Sequence, residues 1–192
     1  MSLPTKLTLL RIVLTFLLMG LLAVPGAAAK AGCLAIFLLA AATDWADGYL
    51  ARRWHQTSRT GVLLDPIADK ILVLGTLLMF VQLSLISAWM VLVILIRELG
   101  ITGVRLYAAG RQIVIPAARE GKHKTVSQMA TITVILLLLV ARELLHGDAA
   151  RQLATWMPAV IAGCMWGTVM LTVISGMSFF WRNRAVWLEA SR

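Results

Sequence analysis

The chain has 192 residues, 60% of them hydrophobic and only 14% charged, with 18 Lys and Arg against 9 acids for a net charge of +9. Mean hydropathy of +0.85 marks a polytopic membrane protein with no room for a soluble domain beside the spans, so residues 1–192 read as one membrane domain. No aromatic-interleaved basic patch or RNA motif accompanies the positive charge, which points to topology and anionic lipid, not nucleic acid.

Taken in order, the first apolar run covers about residues 4–24 and contains Lys6 and Arg11. Ala23 to Ala29 is rich in small residues, as at a signal-peptide cleavage site, but an internal arginine and so long an apolar run argue against cleavage. Pro25-Gly26 ends the run. Further spans are expected over roughly 30–53, 61–84, 87–109, 126–146 and 154–180, each long enough for a bilayer. The fold class is therefore all-α, with six transmembrane helices and no internal repeats. Beyond them, Trp181 to Arg192 carries Trp and Arg suited to the interface. Cys33 and Cys164 lie in apolar runs and read as packing, and His55, His123 and His146 as interfacial residues.

The loops orient the chain. With the N-terminus cytoplasmic, Lys6, Arg52, Arg53, Arg59, Arg111, Arg119, Lys122, Lys124, Arg182, Arg184 and Arg192 fall on that side, and only Lys30, Arg142 and Arg151 on the other. That asymmetry satisfies the positive-inside rule and places both termini of a multi-pass protein in the cytoplasm.

Against this apolar background, four of the nine acids fall within 26 positions: Asp44, Asp47, Asp65 and Asp69. An ionised side chain at membrane depth is costly, which makes it a functional hypothesis by default. Asp44 and Asp47 are an i, i+3 pair and Asp65 and Asp69 an i, i+4 pair, so each pair shares a helix face. At about 1.5 Å per residue, Asp44 lies roughly 15 Å and Asp69 roughly 12 Å inward from the cytoplasmic edge. Two facing helices would converge four oxygen donors, the ligand set that Mg²⁺ or Mn²⁺ prefers. Gly48 and Ala51 lack bulk on the Asp44 face, and Arg52 suits a phosphate.

A basic constellation follows. The fourth span carries Arg97, Glu98 and Arg105, and the next connection Arg119, Gly121, Lys122, Lys124, Thr125 and then Gln128. Arg97 and Glu98 are adjacent and need not pair, whereas Arg97 and Arg105 are eight apart, close to one face. Two lysines and a Thr hydroxyl where a loop enters a helix make a phosphate site, because helix N-termini also favour anions. A divalent-cation transporter is the rival from another class. Its path would need polar residues throughout, but Cys33 to Ala42 is apolar and Ile71 to Phe80 offers only Thr76.

The order D-x2-D-G-x2-A-R-x8-G-x3-D-x3-D, running from Asp44 to Asp69, resembles the signature of the CDP-alcohol phosphatidyltransferases without gap or mismatch. The opening Pro4-Thr5-Lys6-Leu7-Thr8-Leu9-Leu10-Arg11 resembles that family's start, with Thr5 where an Asn is usual. Arg97-Glu98 followed by G-K-x-K-T and a nearby Gln is most similar to the phosphatidylglycerophosphate synthases among them. This likeness extends from residue 3 to about 130, with the last two spans alike only in hydropathy.

The resemblance implies transfer of the phosphatidyl group of CDP-diacylglycerol to glycerol 3-phosphate, in a cavity open to the cytoplasm. The same motif serves enzymes that use inositol phosphate, serine or other alcohols. It implies two divalent ions, Mg²⁺ or Mn²⁺, on Asp44, Asp47, Asp65 and Asp69, with Asp69 as the general base. CDP-diacylglycerol would meet Thr8, Gly48, Ala51, Arg52 and Gly61, the last capping the turn before Asp65. The acceptor phosphate would meet Arg97, Arg105, Lys122, Lys124 and Thr125, and a homodimer is implied as well.

Overall fold

A computed structural model describes the backbone over residues 3–54, 59–111 and 120–184, and the side-chain environments over 9–43, 70–111 and 124–184. Throughout these residues the secondary structure is helical: α1 (Leu3–Ala23), α2 (Ala27–Trp54), α3 (Arg59–Gln82), α4 (Ala88–Gly110), α5 (Glu120–Leu144) and α6 (Gly147–Arg182).

The helices end where the sequence expects. Val24-Pro25-Gly26 interrupts α1 and α2, with Gly26 at φ +107°, a conformation that suits a residue without Cβ. Two starts differ from the hydropathy reading. α5 begins at Glu120, so Lys122, Lys124 and Thr125 lie inside its first turns and not in a loop. α6 begins at Gly147, and its outermost turns carry the exposed Asp148–Arg151 pair at 3.5 Å. Hydropathy marks where lipid lies, but backbone hydrogen bonding carries a helix on past that boundary.

α1 packs on α2 and α3, α5 on α2 and α6, and α4 on α6, while α3 also touches α4 and α5. The interior is graded. At one end it is closed by Leu18, Leu22, Phe37, Leu77, Phe80, Ile135, Leu139 and Ile161. At the other, the buried positions of α5 and α6 turn polar, with Lys124, Gln128, Thr131, Thr168, Thr172 and Ser175. A 2.8 Å hydrogen bond between the Thr131 and Thr168 hydroxyls links the two helices. Thr15 and Thr76 instead donate to carbonyls one turn back, Arg11 O and Leu72 O, both at 2.8 Å. Such back-bonding is how a hydroxyl is satisfied among apolar neighbours.

Outward, the surface is apolar: Val13, Phe16, Ile96, Leu106, Ile174 and Met177 are all more than 60% exposed. A skin of that composition suits lipid and not water. Among the described residues, the stretch Lys124–Leu144 and the whole of α6 are long and apolar enough to cross a bilayer, with shorter apolar runs at Leu9–Ala23, Ala27–Thr43 and Lys70–Gln82. The chain has the build of an all-helical membrane protein.

Lys30 is a buried cation with a structural task. Its ammonium donates to the carbonyls of Leu22 at 2.6 Å and Val24 at 2.9 Å, closing the C-terminal end of α1 from the first turn of α2.

Candidate active site

Backbone geometry bears first on the acids. Asp44 and Asp47 lie within the continuous helix α2, and Asp65 and Asp69 within α3, so the i, i+3 and i, i+4 spacings hold as helical spacings. Gly48, Ala51 and Arg52 follow in α2, and Thr8 lies in α1. Gly61 falls inside the first turn of α3, which starts two residues earlier at Arg59, and does not cap a turn ahead of it. The side chains of Thr8, of residues 44–69 and of Lys122 lie outside the described part.

Next to this segment, α3, α4 and α5 enclose a cavity of about 110 Å³ lined by Lys70, Val73, Leu74, Ile94, Glu98, Lys124, Thr125 and Gln128. Lys70 follows Asp69 directly in α3, so the cavity adjoins the acidic stretch. Two pairs of residues four apart organise its polar side. Glu98 and Thr102 stack on α4, and Lys124 and Gln128 on α5.

The Glu98 carboxylate is the hub. Its Oε1 accepts from the Lys124 ammonium across the α4–α5 gap and from Arg97 Nη1 at 3.2 Å. Arg97 and Glu98 therefore do pair, although neighbours on a helix point about 100° apart, because the long arginine stem curls back. Lys70 donates to the Thr102 hydroxyl, which itself donates to Glu98 O at 2.8 Å. Lys124 is 8% exposed and Gln128 4%. Among the described residues that line the cavity, two lysines stand beside one glutamate, a basic balance that suits an anionic ligand. A buried ion pair broken on one side costs about 3–5 kcal/mol, so this network is held in place firmly.

Not every basic residue expected at the site reaches it. Arg97 turns toward α6, where Nη2 donates to Ser175 Oγ at 2.5 Å and its stem crosses Gly176. A Cβ on Gly176 would approach Arg97 Cγ to 3.1 Å, so the absent side chain makes room for the arginine. Arg105 is exposed, with its guanidinium 5.7 Å from the Phe179 ring centre, also on α6. These arginines do share one face of α4, as their spacing predicts, but that face meets α6 and not the cavity. Lys124 and Thr125 do line it. Lys70, Glu98 and Gln128, absent from the sequence-derived site, complete it. For Glu98 and Gln128 the signal was the four-residue spacing to Thr102 and to Lys124, which no single helix could connect; Lys70 had none beyond following Asp69.

The sequence model of the CDP-alcohol phosphatidyltransferases matches residues 1–174, well beyond the stretch in which the motifs alone were recognisable. Among characterised relatives, the chain is 37% identical over 195 residues to the CDP-diacylglycerol–glycerol-3-phosphate 3-phosphatidyltransferase of Bacillus subtilis, covering 95% of each chain. A protein of the same name from Cereibacter sphaeroides is 39% identical over 168 residues, covering 81% of this chain and 71% of its own. The one from Rickettsia felis is 31% identical over 180 residues, covering 93% of both. With the motif from Asp44 to Asp69 set on two successive helices beside a basic cavity, this chain belongs to the CDP-alcohol phosphatidyltransferase family.

Proposed function

We propose that this protein transfers the phosphatidyl group of CDP-diacylglycerol to glycerol 3-phosphate, releasing CMP and forming phosphatidylglycerophosphate. The observation that carries the choice of acceptor is the pair of cavity lysines, Lys70 and Lys124, beside Thr125. An acceptor with its own phosphate can accept charge-assisted hydrogen bonds from such a basic wall, which a neutral alcohol cannot do to the same extent. The names of the relatives point the same way.

In this reading Asp44, Asp47, Asp65 and Asp69 hold two divalent ions, Mg²⁺ or Mn²⁺. Four carboxylates on two consecutive helices are the hard oxygen donor set such ions need. When bound, the ions supply charge neutralisation at the pyrophosphate. Asp69 accepts the proton of the attacking hydroxyl. Thr8, Gly48, Ala51, Arg52 and Gly61 surround the cytidine nucleotide, with Arg52 on its phosphate. Lys124, Thr125 and Lys122, all in the first turns of α5, orient the acceptor phosphate, helped by the positive end of that helix. Arg97 and Arg105 serve the acceptor from behind, by fixing α4 against α6.

All six helices cross a bacterial inner membrane, with both termini and the cavity on the cytoplasmic side. The resemblance carries the expectation of a homodimer. The transport alternative finds no support in the interior: Thr76 is turned onto its own helix, and Leu72, Leu77, Phe80, Ile132 and Ile135 fill the far half.

A headgroup screen tests the proposal. Purified protein with CDP-diacylglycerol and Mg²⁺ should release CMP with glycerol 3-phosphate and far more slowly with serine or inositol phosphate. Faster release with either of those would overturn the acceptor assignment.

A further inference from the structure

Two polar groups in the cavity are not used by the phosphate contacts just described. Glu98 receives both of its cations on Oε1, and Oε2 has no partner among the described residues. Gln128 is 4% exposed, lines the same cavity, and its Nε2 has no hydrogen-bond partner among the described residues. A buried amide without a partner is uncommon and costs about 1–3 kcal/mol, so its place in a binding cavity calls for a ligand. The cavity, at about 110 Å³, has space for several water-sized groups.

The two groups are complementary in kind. A carboxylate oxygen only accepts, and an amide nitrogen only donates. A hydroxyl does both at one oxygen. The pair is therefore matched to an alcohol, and a phosphate, which cannot donate once ionised, would be repelled by Glu98. In a glycerol phosphate, one terminal hydroxyl reacts and the other terminus carries the phosphate. The secondary hydroxyl lies between them, one carbon from each, and so enters the cavity along with the phosphate.

We propose that Glu98 and Gln128 read the secondary hydroxyl of the acceptor, Glu98 Oε2 accepting its hydrogen and Gln128 Nε2 donating to its oxygen. This rests on the reading of the acceptor as glycerol 3-phosphate. It makes the two residues determinants of specificity, acting beside the phosphate contacts and independently of the metal-binding acids.

The test compares glycerol 3-phosphate with 3-hydroxypropyl phosphate, which keeps the three-carbon chain, the primary hydroxyl and the phosphate but lacks the secondary hydroxyl. Wild-type kcat/KM should favour glycerol 3-phosphate by on the order of 10²-fold, as sites built around a hydroxyl reject analogues without it. Gln128→Leu, of similar volume, should lower kcat/KM for glycerol 3-phosphate by roughly tenfold and leave 3-hydroxypropyl phosphate within about threefold. Glu98→Gln should also shrink the ratio, on top of a loss common to both acceptors because Lys124 is released. A wild-type ratio near one overturns the inference and leaves the proposed reaction standing; it needs no variant to fold. An unchanged ratio in Gln128→Leu overturns it equally. Absence of wild-type turnover with both compounds removes the reaction and this inference together.

Discussion

Asp65 and Asp69 stand one helical turn apart on α3, yet the proposed chemistry asks different things of them. Asn at either position keeps the shape and an oxygen for a metal, but cannot take a proton. Asp69→Asn should therefore cut kcat by about 10²–10⁴-fold, the worth of a positioned base, and added Mg²⁺ should not restore it. Asp65→Asn should lose activity mainly through weaker metal binding, and recover as Mg²⁺ rises. Metal titration of both variants at saturating substrates separates the roles, and recovery of Asp69→Asn to near wild-type turnover would remove it as the base. The Asp residues were legible in the sequence because a carboxylate within an apolar run is conspicuous without any structure. Glu98 and Gln128 stood out as members of a polar constellation, but their convergence on one cavity did not, since it lies in a gap between α4 and α5 that only packing creates. Arg97 misled for the same reason: its depth was readable, but its direction toward Ser175 was not.

Helices pack through their smallest residues, and Gly75 shows how closely α3 approaches α1. A Cβ at that position would meet Met19 Sδ and Thr15 Cγ2, each at 3.2 Å. Thr15 is fully buried and tied to Arg11 O, so it cannot yield easily. Gly75→Leu should destabilise the protein by about 1–3 kcal/mol through overpacking. Gly103→Leu, where a Cβ meets nothing within 4 Å, should not. Thermal unfolding in one detergent compares them directly; equal midpoints would mean that the α1–α3 contact is looser than these distances. Helix number and approximate limits followed from apolar run length and the Pro25-Gly26 break. The early starts of α5 and α6 were hidden, because polar turns standing outside lipid have the hydropathy of a loop.

Among the described residues, the interior divides into an apolar half and a half with lysines and threonines. In the proposed reading such a division gives the protein a direction in the membrane, with substrate from the aqueous phase entering at the polar end. Single cysteines placed in a background without Cys33 and Cys164 test the direction proposed. Ser87→Cys and His146→Cys, at the starts of α4 and α6, should react with an impermeant maleimide added outside intact spheroplasts. Arg111→Cys and Asn183→Cys, at the opposite ends, should react only after the membrane is opened. The reverse pattern would turn the cavity outward and away from any cytoplasmic acceptor.

In that orientation, Lys30 has to be carried through the bilayer while the ribosome is still adding residues. A bare lysine at the centre of the hydrocarbon costs about 2.5–3.5 kcal/mol on translocon scales. The carbonyls of Leu22, in the last turn of α1, and of Val24, just beyond it, hold its ammonium in the finished protein and lie at the negative end of that helix. If α1 and α2 enter together as a hairpin, the charge crosses already wrapped in backbone oxygens; α2 threading alone would present it naked. Paired insertion, with the turn at Gly26 as the leading tip, is the outcome expected from these contacts. The same maleimide labelling, applied to Ala28→Cys in arrested nascent chains, should report an external tip only once the whole of α2 (Ala27–Trp54) has left the ribosome, and labelling while the C-terminal half of α2 is still inside it would rule the hairpin out.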